Sequence, residues 1–340
     1  MPTVETRPAP PAADSVRPVP RVPGLDRLRA VALMMMLVHH FVGWFGRVDA
    51  REVLPGWQGM AVTDIAAPAF AVAAGASSLL FMEARRRAGS PVLATVLRRY
   101  GMLIPIGFVL QSLITGAVWN WGVLQTLGAS IVLSTACASL VVRSAPGAAL
   151  LAGALFAAGH RVELVVADGH PWVADVFGSN FPLLTYVAFA LVGVAAARAI
   201  LTWPSCDRWA VVAGLGFVVV TVVWAGEPDR YPADASFVLP GLAGTLLLYG
   251  LLERWPVLDG VLRTAGRHTL GIFIGHYLAR VVMGRLGWLD HSDPVPAVLL
   301  AVTATALAVV VAPLVPTLPW SPRTGWAPGF GPRRRQTVTA

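Results

Sequence analysis

The chain has 340 residues, 56% hydrophobic and only 13% charged, with a mean hydropathy of +0.66, a balance that excludes an ordinary water-soluble domain. Its formal net charge of +8 comes from arginine without any lysine. The arginines sit in short clusters between apolar segments, which excludes nucleic-acid binding and points to membrane topology.

The first 22 residues, rich in Pro, Ala and Val, contain no apolar stretch of signal-peptide length, so no cleaved leader is expected. They read as a disordered cytoplasmic tail (1–22), followed by a transmembrane domain (23–322) and a basic cytoplasmic tail (323–340) with its run of Arg333, Arg334 and Arg335. Apolar runs of spanning length are predicted at Leu28 to Phe45, Thr63 to Met82, Val96 to Val118, Leu124 to Val142 and Ala145 to Val166. Five more follow at Phe181 to Leu201, Trp209 to Trp224, Phe237 to Leu252, Thr269 to Gly287 and Val295 to Leu318. The expected fold is therefore an all-α polytopic bundle of about ten transmembrane helices.

Threaded alternately, these spans collect Arg21, Arg27, Arg85 to Arg87, Arg98, Arg99, Arg143, Arg198, Arg208, Arg254, Arg263 and Arg267 on one side. That side is expected to be cytoplasmic, with both termini on it, and the composition suggests a bacterial plasma membrane. Most acids fall on the opposite loops, and Trp44, Trp57, Trp119, Trp121, Trp172, Trp224 and Trp288 lie near the outer ends as an aromatic belt. No internal repeat stands out. Cys137 and Cys206 lack disulfide or metal-ligand spacing, and no metal is called for.

Ionisable residues inside spans are costly, so each asks for a reason. The first span reads GLDRLRAVALMMMLVHHFVGWF. Arg29 and His40 are eleven residues apart, which on an α-helix is three turns plus roughly 20°, with a rise of about 16 Å, so they share one face. His39 points about 80° away and reads as the packing histidine. Arg29, in the first helical turn, opposes the dipole and gains from an approaching anion such as a phosphate-bearing donor; the plainer reading is that it pairs with Asp26 or snorkels to lipid headgroups. Asp64 enters the second span near the depth of His40, where a carboxylate can orient an imidazole as a general base, or Thr63 and Asp64 simply cap the helix.

Other candidates lie apart from these. Trp119, Asn120, Trp121 and Gln125 form a polar, aromatic outer turn that can line an acceptor site or serve as belt residues. Trp57 and His39 are further lining candidates. His276 and Tyr277 sit midway along the ninth span, where a buried histidine is either structural or functional. Arg98, Arg99, Arg263 and Arg267 can hold phosphates at the inner mouth, although positive-inside bias alone places arginines there.

Four segments, LDRLRAVALMMMLVHH, GWQGMAVTDIAAPAF, GVLQTLG and GRHTLGIFIGHY, together resemble the heparan-alpha-glucosaminide N-acetyltransferase-like membrane proteins. That family stands within a broader group of transmembrane acyltransferases, the acyltransferase-three group. The resemblance implies an all-helical membrane fold and transfer of an acyl group from cytosolic acyl-CoA, acetyl-CoA in the first instance, to an acceptor across the membrane, often a sugar. It places Arg29 and His40 on the arginine and histidine of the acyltransferase-three pattern and Asp64 on the aspartate of the glucosaminide group. One departure stands out: the family's outer-loop histidine has no counterpart in Glu52 to Pro55, and Leu54 takes the nearest matching place.

The sequence therefore favours an acyl-CoA-dependent membrane acyltransferase. Its donor would be held by Arg29, Arg98, Arg99 and Arg267, with His40 and Asp64 catalytic and no permanently bound cofactor. The expected partners are the lipid bilayer, acyl-CoA and an extracytoplasmic glycan or small acceptor; association into oligomers is compatible with the reading. The alternatives are a transporter or flippase, which would move substrate without acyl-CoA turnover, and a non-catalytic protein that keeps the fold, which would bind acyl-CoA without transfer.

Overall fold

The structure, a computed structural model, describes residue 19 and residues 21–311 apart from 47–49, 58–59, 90, 118, 167–170, 179–180, 204, 225–233, 257 and 290–293. The predicted basic C-terminal tail, nearly all of the N-terminal tail and the end of the tenth predicted span fall outside those residues.

The described chain is almost entirely helical. Helix α1 (Pro23–Gly46) is followed by the short α2 (Ala50–Val53) and a two-residue antiparallel hairpin of β1 (Gly56–Trp57) and β2 (Met60–Ala61). A 3-10 turn (Val62–Ile65) leads into α3 (Ala66–Arg87). Then come α4 (Val92–Tyr100), α5 (Leu103–Thr115), α6 (Val123–Leu140), α7 (Ala145–Val166) and the short α8 (Pro171–Phe177). The chain continues through α9 (Leu183–Thr202), α10 (Cys206–Val223), α11 (Ala235–Arg254), α12 (Asp259–Arg267), α13 (Thr269–Arg285) and α14 (Pro294–Val311).

Among the described residues, eight helices are long and apolar enough to cross a membrane, with α4 and α5 together making one of them. The protein is thus a multi-pass helical membrane protein. The ninth and tenth predicted spans coincide with α13, 17 residues long, and α14, 18 residues long. Side chains such as Leu150, Val165 and Val223, 76%, 78% and 82% exposed, present the apolar outer surface that lipid covers.

Local chemistry explains the boundaries. Pro23 opens α1, where a missing N–H costs nothing, and Asp234 caps α11 by accepting the Phe237 N–H at 3.0 Å. The third predicted span, Val96 to Val118, proves to be two helices that meet at Gly101 and Met102. Pro105 is the reason: it has no N–H for the carbonyl of residue 101, which instead accepts from Ile104 at 3.1 Å in a tighter turn.

Helix α1 lies at the centre of one half of the bundle, packed against α3, α11, α12 and α14; α3 lies against α9, and α9 against α6 and α7. The α3 and α9 backbones touch. A Cβ on Gly75 would overlap the carbonyl oxygen of Ala190, and one on Gly193 would overlap that of Val72. Small residues at such crossings let helices gain dispersion contact where lipid removes any hydrophobic drive to associate. Helix α12, which no apolar run announced, buries Leu262, Ala265 and Gly266 and packs so closely on α1 that a Cβ at Gly266 would overlap the carbonyl of Asp26.

Candidate active site

The charged end of the bundle is assembled around the first turns of α1. Asp26, almost fully buried, accepts from Arg21 Nε at 2.9 Å and Nη2 at 2.7 Å, and it also pairs with Arg29 Nη2. Arg29 Nε donates to the Leu25 carbonyl at 3.3 Å. The plainer of the two readings of Arg29, pairing with Asp26, is thus present in the structure, and Arg29 additionally lies within electrostatic reach of Arg99.

Arg27, 6% exposed, donates Nε at 2.7 Å and Nη2 at 2.5 Å to Asp259 Oδ1 on α12 and Nη1 at 2.6 Å to the Leu252 carbonyl on α11. Asp259 also pairs with Arg263 at 2.5 Å, and Glu253 accepts the Gly24 N–H at 2.6 Å. Arg85 and Arg99 approach one aromatic ring, their guanidinium carbons 5.4 Å and 5.7 Å from the centroid of Phe81. Arg85, which the sequence reading treated only as a topology marker, acts electrostatically on Arg99 as Arg29 does. Its buried Nε has no hydrogen-bond partner among the described residues. Arg98 and Arg267 are exposed.

Toward the far end of α1 the histidines diverge as helical geometry requires. His39 Nδ1 lies 2.9 Å from Thr63 Oγ1 in the 3-10 turn. His40 Nδ1 lies 3.0 Å from Nε2 of His276 on α13, and the two rings are nearly parallel with centroids 5.3 Å apart. His276 Nδ1 in turn faces the carbonyl of Phe273. Trp44, one turn beyond His40, stacks on both imidazoles at 5.4 Å and 5.5 Å, and Arg280 lies 5.0 Å from its ring centroid. Tyr277 closes the group at 4.2 Å from His276. Trp44, read from the sequence as a belt residue, is half-buried here and joins a stack with the two imidazoles.

Asp64 is 2% exposed and accepts the Ala61 N–H at 3.1 Å, the local capping role weighed for it. Gln125 is fully buried, donates Nε2 to the Asn120 carbonyl at 2.9 Å and faces Gly107 of α5. Trp119, half exposed, packs on Phe108 at 4.8 Å. The side chain of Trp57 lies outside the described residues. Leu54, where the family resemblance places a histidine, packs against the apolar cluster that includes Leu37 and Phe41 of α1.

Two of the missed partners had local signals. Trp44 is four residues after His40 and Arg280 four after His276, the spacing at which helical side chains meet. The pairing of α1 with α13 had none.

The family model for "Heparan-alpha-glucosaminide N-acetyltransferase, catalytic" matches residues 21–227, more than half of the chain. The chain belongs to that family. A search of the curated proteins finds no significant match. Family membership brings transferase chemistry, the acetyl transfer that the family name states, with acetyl-CoA as the co-substrate of its enzymes. The matched segment runs from α1 to just past α10 and contains Arg29, His39, His40, Asp64, Arg85, Arg98, Arg99, Trp119, Asn120 and Gln125. His276 and Arg267 lie beyond it.

Proposed function

We propose that the protein transfers an acetyl group from cytosolic acetyl-CoA, through a bundle of ten spans with both ends cytoplasmic, to a hydroxyl or amine of a sugar or glycan on the other side of the membrane. The observation that carries this is α1 itself. One helix places Arg29 at an arginine-lined end with Arg85 and Arg99 and His40 in a half-buried aromatic and imidazole group, built on the buried His276, about 16 Å along the same face. The arginine-rich end suits the phosphates of coenzyme A, with Arg98 and Arg267 at its exposed rim. The far group suits proton transfer.

In the proposed step the acceptor X–H attacks the thioester carbonyl, forming the C–X bond and breaking C–S. His40 takes the proton from X and delivers it to the departing thiolate, so the products are acetyl–X and free coenzyme A. Asp64, next in the chain to the threonine that holds His39, accepts the Ala61 N–H and so steadies the turn at this level, a positioning role. Direct transfer to a positioned acceptor is the simplest route.

The replacement of the family's outer-loop histidine by Leu54 favours one second reading, a protein that binds acetyl-CoA without transfer. Purified protein in lipid nanodiscs, given radiolabelled acetyl-CoA and a panel of amino sugars and neutral sugars, separates the two. His40→Ala is expected to lower transfer by about 10²- to 10⁴-fold, the range of a lost general base, while His39→Ala keeps most of it. Loss confined to His39→Ala would overturn the role of His40. Binding of acetyl-CoA with no transfer to any acceptor would favour the second reading, and the absence of binding would refute both.

A further inference from the structure

The hydrogen bond between His40 and His276 has a direction, and the α13 backbone sets it. His276 Nδ1 faces the carbonyl oxygen of Phe273 one turn earlier. A carbonyl can only accept, so Nδ1 of His276 carries the proton. A neutral imidazole has a single N–H, which makes Nε2 of His276 a lone pair. That lone pair lies 3.0 Å from His40 Nδ1, so His40 must be the donor in this pair. A cationic His276 would instead set two N–H groups against each other, in a site walled by Phe41, Trp44, Phe273 and Tyr277 with the cation of Arg280 against the ring of Trp44.

We infer that His276 is the positioning residue for His40: it holds His40 as the Nδ1–H tautomer and so makes Nε2 of His40 the nitrogen that takes the acceptor's proton. The inference rests on the acetyltransferase reading above and deepens it. A backbone carbonyl orders His276, His276 orders His40, and Trp44 stacked on both rings keeps them parallel.

The arrangement differs chemically from a carboxylate–histidine pair. A carboxylate fixes the tautomer and also stabilises the imidazolium that forms, whereas a neutral histidine supplies the orientation with little of the charge. His40 then suits a step in which its proton moves on at once: X–H gives its proton to Nε2, the thioester C–S bond breaks as C–X forms, and Nε2–H protonates the thiolate sulfur.

The test uses the full chain in nanodiscs with ¹⁵N-labelled histidine. Long-range ¹H–¹⁵N spectra report which ring nitrogen is protonated, and the signals lost in His40→Gln assign His40. The wild type is expected to show Nδ1–H in both His40 and His276. His276→Leu is expected to release His40 toward the Nε2–H form and to lower kcat by about 10- to 100-fold, the range seen on removing an orienting partner, with KM for acetyl-CoA nearly unchanged. In His276→Gln the amide oxygen takes the place of Nε2 and accepts from His40, so the tautomer and most of kcat are expected to return.

A wild-type His40 protonated at Nε2 overturns the proposal. So does a His276→Gln variant that keeps the Nδ1–H tautomer yet loses kcat as His276→Leu does. If His276→Leu fails to fold, the wild-type and His276→Gln spectra carry the test. If the wild type turns over no acetyl-CoA with any acceptor, the acetyltransferase reading fails, while the tautomer measurement still decides the relay.

Discussion

Replacing Asp259 by alanine tests the arrangement that joins α12 to α1. Arg27 has 7% of its side chain exposed, and two of its three described hydrogen bonds go to Asp259 Oδ1, which is itself 28% exposed. Removing the carboxylate leaves a buried guanidinium with the Leu252 carbonyl as its one remaining partner among the described residues. Breaking a buried pair from one side costs about 3–5 kcal/mol; because water can reach the Asp259 side, the lower end applies, about 3 kcal/mol, or roughly a hundredfold in the folded ratio.

The pair of Asp259 with Arg263, 40% exposed, adds little. Arg27→Met is expected to cost less, since Asp259 keeps Arg263 as a partner. The double variant Arg27→Met, Asp259→Ala should be more stable than Asp259→Ala alone, because it removes the stranded charge. Stability would be read from denaturant titration in detergent followed by near-ultraviolet circular dichroism. A double variant no more stable than Asp259→Ala, or a loss below about 1 kcal/mol for Asp259→Ala, would refute the account of a buried cation clamp.

Two further substitutions separate backbone contact from lipid exposure. Gly193→Leu must drive α3 and α9 apart at Val72 and is expected to destabilise by about 3 kcal/mol or more, while Gly153→Leu, with nothing within 4 Å of its Cβ, should stay within about 0.5 kcal/mol; thermal melts monitored by size-exclusion would distinguish them. For the donor end, Arg85→Ala and Arg99→Ala are each expected to raise KM for acetyl-CoA about tenfold, the equivalent of one charge-assisted hydrogen bond, with kcat little changed. Arg98→Ala, at an exposed position, should have a smaller effect. Initial rates against acetyl-CoA concentration decide, and equal KM values for all three variants would remove Arg85 and Arg99 from the site.

The family departure at Leu54 gains a physical meaning from these contacts. The loop after α1 gives an apolar side chain to the core at that place, and the imidazoles that remain nearby come from α1 and α13. Part of the proposed chemistry therefore rests on residues beyond the matched segment, which ends at residue 227.

Membrane embedding, most helix positions and the shared face of Arg29 and His40 were legible in the amino-acid sequence, because hydropathy and the 3.6-residue period act along one chain segment at a time. The same local rules separated His39 from His40 and placed Asp64 at a helix start. They were blind to the break at Gly101 only because Pro105 sat inside a run read for hydropathy alone. The tertiary structure decided which helices face each other: α3 against α9 through Gly75 and Gly193, α12 against α1 through Gly266, and His40 against a histidine 236 positions away. Inside a bilayer every apolar face is equally content with lipid, so partner choice rests on close backbone approach and on buried polar groups finding one another. Those are properties of pairs of helices, and no single helix carries them.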